Sequence, residues 1–149
     1  MSLSVLVSRR VQVGCIALLA AGLGLSQRNQ SEAIPPRLAA GGAVAVSNNA
    51  DGVQISEDGQ VTANLAASPR ERAFGRTLAT DGATVAVGAE GSVFLYSKQQ
   101  SIWTRTGSLR AAAVESAAIG NGTLVLGRPG EAEVFVLENG EWTPQCTFG

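Results

Sequence analysis

Hydrophobic residues in this chain come in short runs of three to five, and the runs recur. Thr84-Val85-Ala86-Val87-Gly88 returns as Thr123-Leu124-Val125-Leu126-Gly127, Val93-Phe94-Leu95-Tyr96 returns as Val134-Phe135-Val136-Leu137, and Trp103 returns as Trp142. Thr to Trp spans 19 residues in both copies, while the segments between trade residues. Short β-type runs at a period of about 40 residues are the pattern of an array of sheet blades. An amphipathic helix needs apolar residues at i, i+3, i+4 and i+7 over ten or more positions. Only Leu109 to Ile119 approaches that spacing, through its alanines.

Asx-Gly pairs stand between the runs: Asp51-Gly52, Asp58-Gly59, Asp81-Gly82, Asn121-Gly122 and Asn139-Gly140. Such pairs supply the positive φ angles that type I′ hairpin turns require, so they predict an antiparallel meander. In the middle unit the predicted strands are Thr77–Ala79, Thr84–Val87, Val93–Tyr96 and Ile102–Arg105. The last unit repeats them as Ala117–Ile119, Thr123–Leu126, Val134–Leu137 and Glu141–Thr143, which leaves Thr147-Phe148 without a partner strand. A more degenerate unit, lacking tryptophan, is read in Ala43–Val46, Val53–Ile55 and Gln60–Leu65. Val85–Val87 and Leu124–Leu126 are almost wholly apolar, as expected of strands covered on both faces. The fold class expected is therefore all-β: a partial β-propeller of two to three four-stranded antiparallel blades.

The N-terminal segment follows a different pattern. Arg9 and Arg10 precede an apolar run from Val11 to Leu25, and the polar stretch Ser26–Gln30 follows. This is the n-region, h-region, c-region order of a secretory signal, and the run is shorter than the ~20 residues of a membrane-spanning helix. Residues 1–33 are thus expected to be a signal peptide, cleaved after Ser26 or after Ala33, with an uncleaved N-terminal anchor as the alternative. Membrane contact is expected only in that second case. Residues 34–39, opening with Ile34-Pro35-Pro36, read as a stiff linker. The blade array takes 40–149: a degenerate blade at 40–72, blades at 73–112 and 113–147, and the start of a further repeat at 148–149. The expected location is secreted, periplasmic or on the cell surface.

Composition narrows the chemistry. The 149 residues are 45% hydrophobic and 15% charged, a globular balance, and the formal charge is −1. Loss of residues 1–33 would remove Arg9, Arg10, Arg28 and Glu32, leaving eight basic against eleven acidic side chains and a charge of −3. No basic stripe exists to follow a phosphate backbone, so nucleic acid is not an expected partner. The same loss removes Cys15 and leaves Cys146 alone, which excludes an internal disulfide. The chain has no histidine, hence no Ser-His-Asp or Cys-His arrangement. Gly41-Gly42 and Gly88-Ala89-Glu90-Gly91 lack the lysine and the strand-loop-helix setting of a phosphate loop. Asp51, Glu57 and Asp58 form the densest acidic group, but Glu57-Asp58-Gly59 reads as a hairpin turn, and Glu131 with Glu133 reads as a solvated rim. Trp103 and Trp142, one per unit at the same place, read as packing elements.

The stretch Phe74-Gly75 through Gly88-Ala89, followed by Gly91-Ser92-Val93-Phe94-Leu95-Tyr96 and Trp103-Thr104, resembles an FG-GAP repeat, the unit of integrin-α-like β-propellers found in exported bacterial proteins. The resemblance is strongest over 73–109, fainter over 113–149 and faintest over 40–72. Phe-Gly occurs at Phe74-Gly75 and at Phe148-Gly149, whereas Gly88-Ala89 is followed by Glu90, and Gly127 is separated from Pro129 by Arg128. The Asp-x-Asp-x-Asp-Gly calcium loop of many such repeats has no counterpart here. The resemblance implies a non-catalytic module for protein or glycan recognition or adhesion, without catalytic, cofactor-binding or metal-binding residues. The alternative is a fragment or decayed paralogue of a propeller from a larger secreted enzyme or surface protein. Two to three blades are fewer than the four to eight of a closed propeller. The chain is therefore expected to be part of a longer array, or to self-associate through exposed blades.

Overall fold

The computed structural model describes residues 37–49 and 52–149. The leader expected at 1–33 and the linker prolines lie outside the described residues. The described residues are all-β, with no helix: twelve strands form three four-stranded antiparallel sheets, consistent with propeller-like blades. The first sheet comprises β1 (Leu38–Gly41), β2 (Val44–Asn49), β3 (Gly52–Glu57) and β4 (Gln60–Ala66). The second holds β5 (Thr77–Thr80), β6 (Thr84–Ala89), β7 (Ser92–Gln99) and β8 (Ile102–Arg110). The third holds β9 (Ser116–Gly120), β10 (Thr123–Arg128), β11 (Glu131–Glu138) and β12 (Glu141–Phe148). Within each sheet the strands lie in sequence order, so every connection is a hairpin.

The turn residues explain most of those hairpins. Asp58-Gly59, Asn121-Gly122 and Asn139-Gly140 each place both residues at positive φ, as type I′ turns demand. Asp81-Gly82 departs from this expectation: only Gly82 has positive φ, and the Asp81 carboxylate accepts hydrogen bonds from the amides of Ala83 and Thr84 at 3.0 and 2.8 Å. It is an Asx turn in a longer connection. Gln100-Ser101 makes a further turn with both φ positive and no glycine. The alanine-rich stretch from Leu109 to Ile119 is the end of β8, a short loop and most of β9, because its apolar residues serve two sheets instead of one helix face.

The three sheets stack in order, and the second is covered on both faces. Val85, Val87, Phe94 and Tyr96 pack with Val44, Val46, Val53, Ile55 and Leu65 of the first sheet. Ala86, Val93 and Leu95, which alternate with them, pack with Leu124, Leu126 and Phe135 of the third. A period-2 strand covered on both sides has no polar face to keep, which is why β6 and β7 read as continuous apolar runs.

Sheets approach each other most closely at their first strands, β5 lying beside both β1 and β9. Those strands carry small residues: Ala39-Ala40-Gly41 in β1, Ala79-Thr80 in β5 and Ala117-Ala118 in β9. Large side chains fill the junctions farther out, with Phe74 and Phe94 ring centroids 6.0 Å apart and Trp103 only 7% exposed. Each junction is a wedge, narrow at the first strands and wide toward the fourth.

The loops between sheets repeat as well. In the first, Ala73 has φ 55°, Phe74 is buried, and the Gly75 amide donates to the Gly88 carbonyl at 3.0 Å. In the second, Ala113 has φ 55°, Val114 is buried, and the Glu115 amide donates to the Gly127 carbonyl at 2.9 Å. Phe148 is placed differently. It ends β12 opposite Ala132, with Thr147 opposite Glu133, so both have the partner strand that the sequence reading denied them. A bulge after Val134 lets β12 continue past the tryptophan hairpin and pair to its end.

Gly41 marks the tip of the first wedge. A Cβ there would lie 2.6 Å from the Asp81 carbonyl carbon and 2.7 Å from both the Gly82 amide nitrogen and the Thr80 oxygen, all backbone. Gly41→Ala should therefore destabilise the protein by about 3 kcal/mol or more, because neither backbone can yield without opening the junction. Gly42→Ala, beside it in open space, should cost about 1 kcal/mol for its left-handed backbone alone. Chemical denaturation of both variants measures the difference, and equal losses would contradict the wedge.

Candidate functional site

Two acidic side chains are held at the junction of the first and second sheets. Glu57, at the end of β3, accepts hydrogen bonds from Lys98 Nζ at 2.5 Å and Trp103 Nε1 at 2.7 Å, both across the junction, and from Thr62 Oγ1 at 3.2 Å. The Lys98 ammonium, then the Trp103 indole N–H, hold the Glu57 carboxyl below its ordinary 4.5, against a smaller opposing effect of burial. Trp103 is thus a packing element with its one polar atom satisfied. Its counterpart Trp142 is half-buried against the core between the second and third sheets.

Glu71 lies in the loop that joins the first two sheets. It accepts from the Ser68 amide at 2.9 Å and from Arg105 Nη1 at 2.8 Å, and the Arg105 guanidinium lies 3.8 Å over the centre of the Phe94 ring. Burial is the largest single influence on Glu71 and opposes its ionisation, but the Ser68 and Arg105 bonds together outweigh it and leave the pKa lowered. Burial raises the pKa of nearby Tyr96. Sequence spacing gives no sign of this cluster, because Glu71 and Arg105 stand 34 residues apart. The one signal was the loop itself, with two acid-base alternations at Arg70-Glu71-Arg72 ahead of the Phe-Gly pair.

The third sheet carries its own ion pairs. Arg128 bonds Glu131 at 3.1 Å and also pairs with Glu133. These acids, expected to form a solvated rim, share one arginine across the β10–β11 hairpin, with Glu131 still exposed. Asp58 sits in its hairpin turn, and Asp51 lies outside the described residues. Among the described residues, no three His, Cys, Asp or Glu side chains are grouped to hold a metal. Gly88 and Gly127 serve packing: a Cβ on Gly88 would meet Thr77, and one on Gly127 would run into Ser116.

The remaining distinctive surface is the outer face of the third sheet, turned away from the second. Val125 and Val134 are 5% and 0% exposed, with Ala132, Cys146 and Phe148 partly buried around them. Cys146 is not in a disulfide. Leu124, Val125 and Leu126 are all buried, as expected of a strand covered on both faces: Leu124 and Leu126 meet the second sheet, and Val125 packs with Val134 on the opposite side. The outer face of the first sheet is mixed: Ser47, Gln54, Ser56 and Asn64 share it with Ala45 and with Leu38 and Val61, which are 75% and 51% exposed, and Gln54 Nε2 donates to Asn64 Oδ1 at 3.3 Å.

The Glu57 pKa is lowered in the folded state, so its contribution is present above the unfolded carboxylate pKa and is lost as pH falls through the folded value. Glu57→Gln should flatten the fall in melting temperature between neutral and acidic pH, whereas Lys98→Met, which removes the largest cause, should flatten it partly. Melting curves across that range check both. An acid limb unchanged in Glu57→Gln would show that the pair has no part in the linkage.

No family model matches the chain, and no curated protein matches its sequence.

Proposed function

We propose that this chain is an exported, non-catalytic recognition or adhesion module built from FG-GAP-like blades, acting through contact surfaces on proteins or glycans. The observation that carries the reading is the stack of three four-stranded antiparallel sheets, consistent with propeller-like blades, with the acids at the first junction held by lysine and arginine. Support for the FG-GAP resemblance comes from its motif residues, which have physical roles here. Phe74 plugs the first junction, Gly75 turns the chain at φ 86°, and Gly88 receives the Gly75 and Arg76 amides.

The second reading, a propeller piece of a larger secreted enzyme or surface protein, is favoured by one specific observation. The third sheet's outer face has the same residue pattern as two faces that are covered by a following sheet within this molecule.

Two measurements test the proposal. Residues 1–33 fused to a reporter that matures only outside the cytoplasm should give activity, and deletion of Val11–Leu25 should abolish it; an inactive fusion would remove the exported part of the reading. The purified chain should leave glycosidic, ester and phosphate substrates unturned, and turnover that survives repurification would count decisively against a non-catalytic role.

A further inference from the structure

The end of the second sheet at which the inter-sheet loops run gathers arginines that the sequence keeps apart. Arg76 precedes β5 and its amide donates to the Gly88 carbonyl at 3.2 Å, while Arg110 ends β8 opposite Ser92. The Arg72 carbonyl accepts from the amide of Glu90, in the β6–β7 turn, at 2.8 Å, and Arg70 stands two residues earlier in the same loop. All four arginines are exposed, and among the described residues none of them is in an ion pair.

The loop separates its own charges. Glu71, between Arg70 and Arg72, is drawn inward: its carboxylate takes the Ser68 amide and the Arg105 guanidinium, and its side chain is only 14% exposed. That leaves Glu90 in the β6–β7 turn and Glu115 in the loop before β9 as the acids beside four guanidiniums. The opposite end of the sheets has the reverse sign. Asp58, Asp81, Glu138 and Glu141 stand at its turns, and its lysine, Lys98, is held by Glu57. A polyanion is therefore drawn to one end of the molecule and repelled from the other.

Arg76 and Arg110 stand at the first and fourth strands of the sheet, so the cations span about 14 Å at about 4.8 Å per strand. That width exceeds one small anion and suits a polymer with charges on successive units. Arginine forks match carboxylate and sulfate oxygens two at a time. Phe94, Tyr96 and Trp103 are buried, so no ring of this sheet is open for bases to stack on. The exposed large apolar side chain of this sheet, Ile102, lies at the opposite end, so none stands beside the arginines to anchor a peptide. We infer that the loop end of the second sheet binds an acidic polysaccharide, carboxylated or sulfated, through Arg70, Arg72, Arg76 and Arg110. The inference rests on the recognition reading and names its ligand class.

Surface plasmon resonance of the full chain over immobilised polygalacturonate and dextran sulfate, with neutral dextran as the reference, tests it. At least one acidic polymer should bind, neutral dextran should not, and binding should weaken as salt rises. Arg76→Ala with Arg110→Ala should weaken binding about tenfold or more. Arg70→Ala with Arg72→Ala should do the same and serves if the first pair unfolds, which melting temperatures reveal. Gln60→Glu with Gln99→Glu, an equal change of net charge at the opposite end, should leave the affinity within about twofold. An equal loss in that control pair means that net charge alone governs binding, and overturns the inference. Polyglutamate competing better than either polysaccharide assigns the surface to acidic peptides and overturns it as well. A chain that binds neither acidic polymer also overturns it, while the non-catalytic and export readings, tested by turnover and by the reporter fusion, stand.

Discussion

Backbone contact between the first strands of successive sheets is the constraint on which the rest of this structure depends. Gly41 of β1 meets the chain at Thr80, Asp81 and Gly82 with no room for a side chain. Once two sheets touch there, their twist and the bulk of outer residues force them apart toward the fourth strand. The gap then has to be filled by side chains that grow with distance from the first strands. Small residues are frequent in β1, β5 and β9, beside Leu78 and Ile119, with valine and leucine in the second and third strands and Phe74, Phe94 and Trp103 at the far end of the first junction. Close packing leaves no alternative, since voids and overlaps are both destabilising.

The polar interactions follow from that wedge. A tryptophan large enough to fill the wide end brings its indole N–H to the junction, where Glu57 accepts it, and Lys98 neutralises the carboxylate. Arg105 covers the Phe94 ring and binds Glu71, which in turn fastens the loop carrying Phe74. Ion pairs with exposed partners such as these add little stability by themselves. Their effect is to hold loop and sheet in one register, so that the Phe-Gly pair stays at the junction.

The two terminal sheets are not equivalent. The first turns serine, asparagine and glutamine outward together with the exposed Leu38 and Val61. The third turns outward the valines that, at matching positions in the second sheet, lie under a neighbour.

Much of this was legible in the residues alone. Positive-φ chemistry at Asp58-Gly59, Asn121-Gly122 and Asn139-Gly140 located the hairpins, and period-2 runs located the strands, because both signals are local. β1 was not legible: Leu38-Ala39-Ala40-Gly41 has small residues for reasons that lie in the next sheet, 40 residues on. Nor was the kinship of Ala73-Phe74-Gly75 with Ala113-Val114-Glu115, which share a backbone path while only the alanine is common. The acidic residues Glu57, Glu71, Glu131 and Glu133 were visible as residues but not as pairs. The repeat, the turns and the strand order are written in the sequence, since each depends on neighbours within a few residues. Which side chains are covered and which acids are paired were decided only when the sheets stacked, because those properties belong to surfaces contributed by residues far apart in the chain.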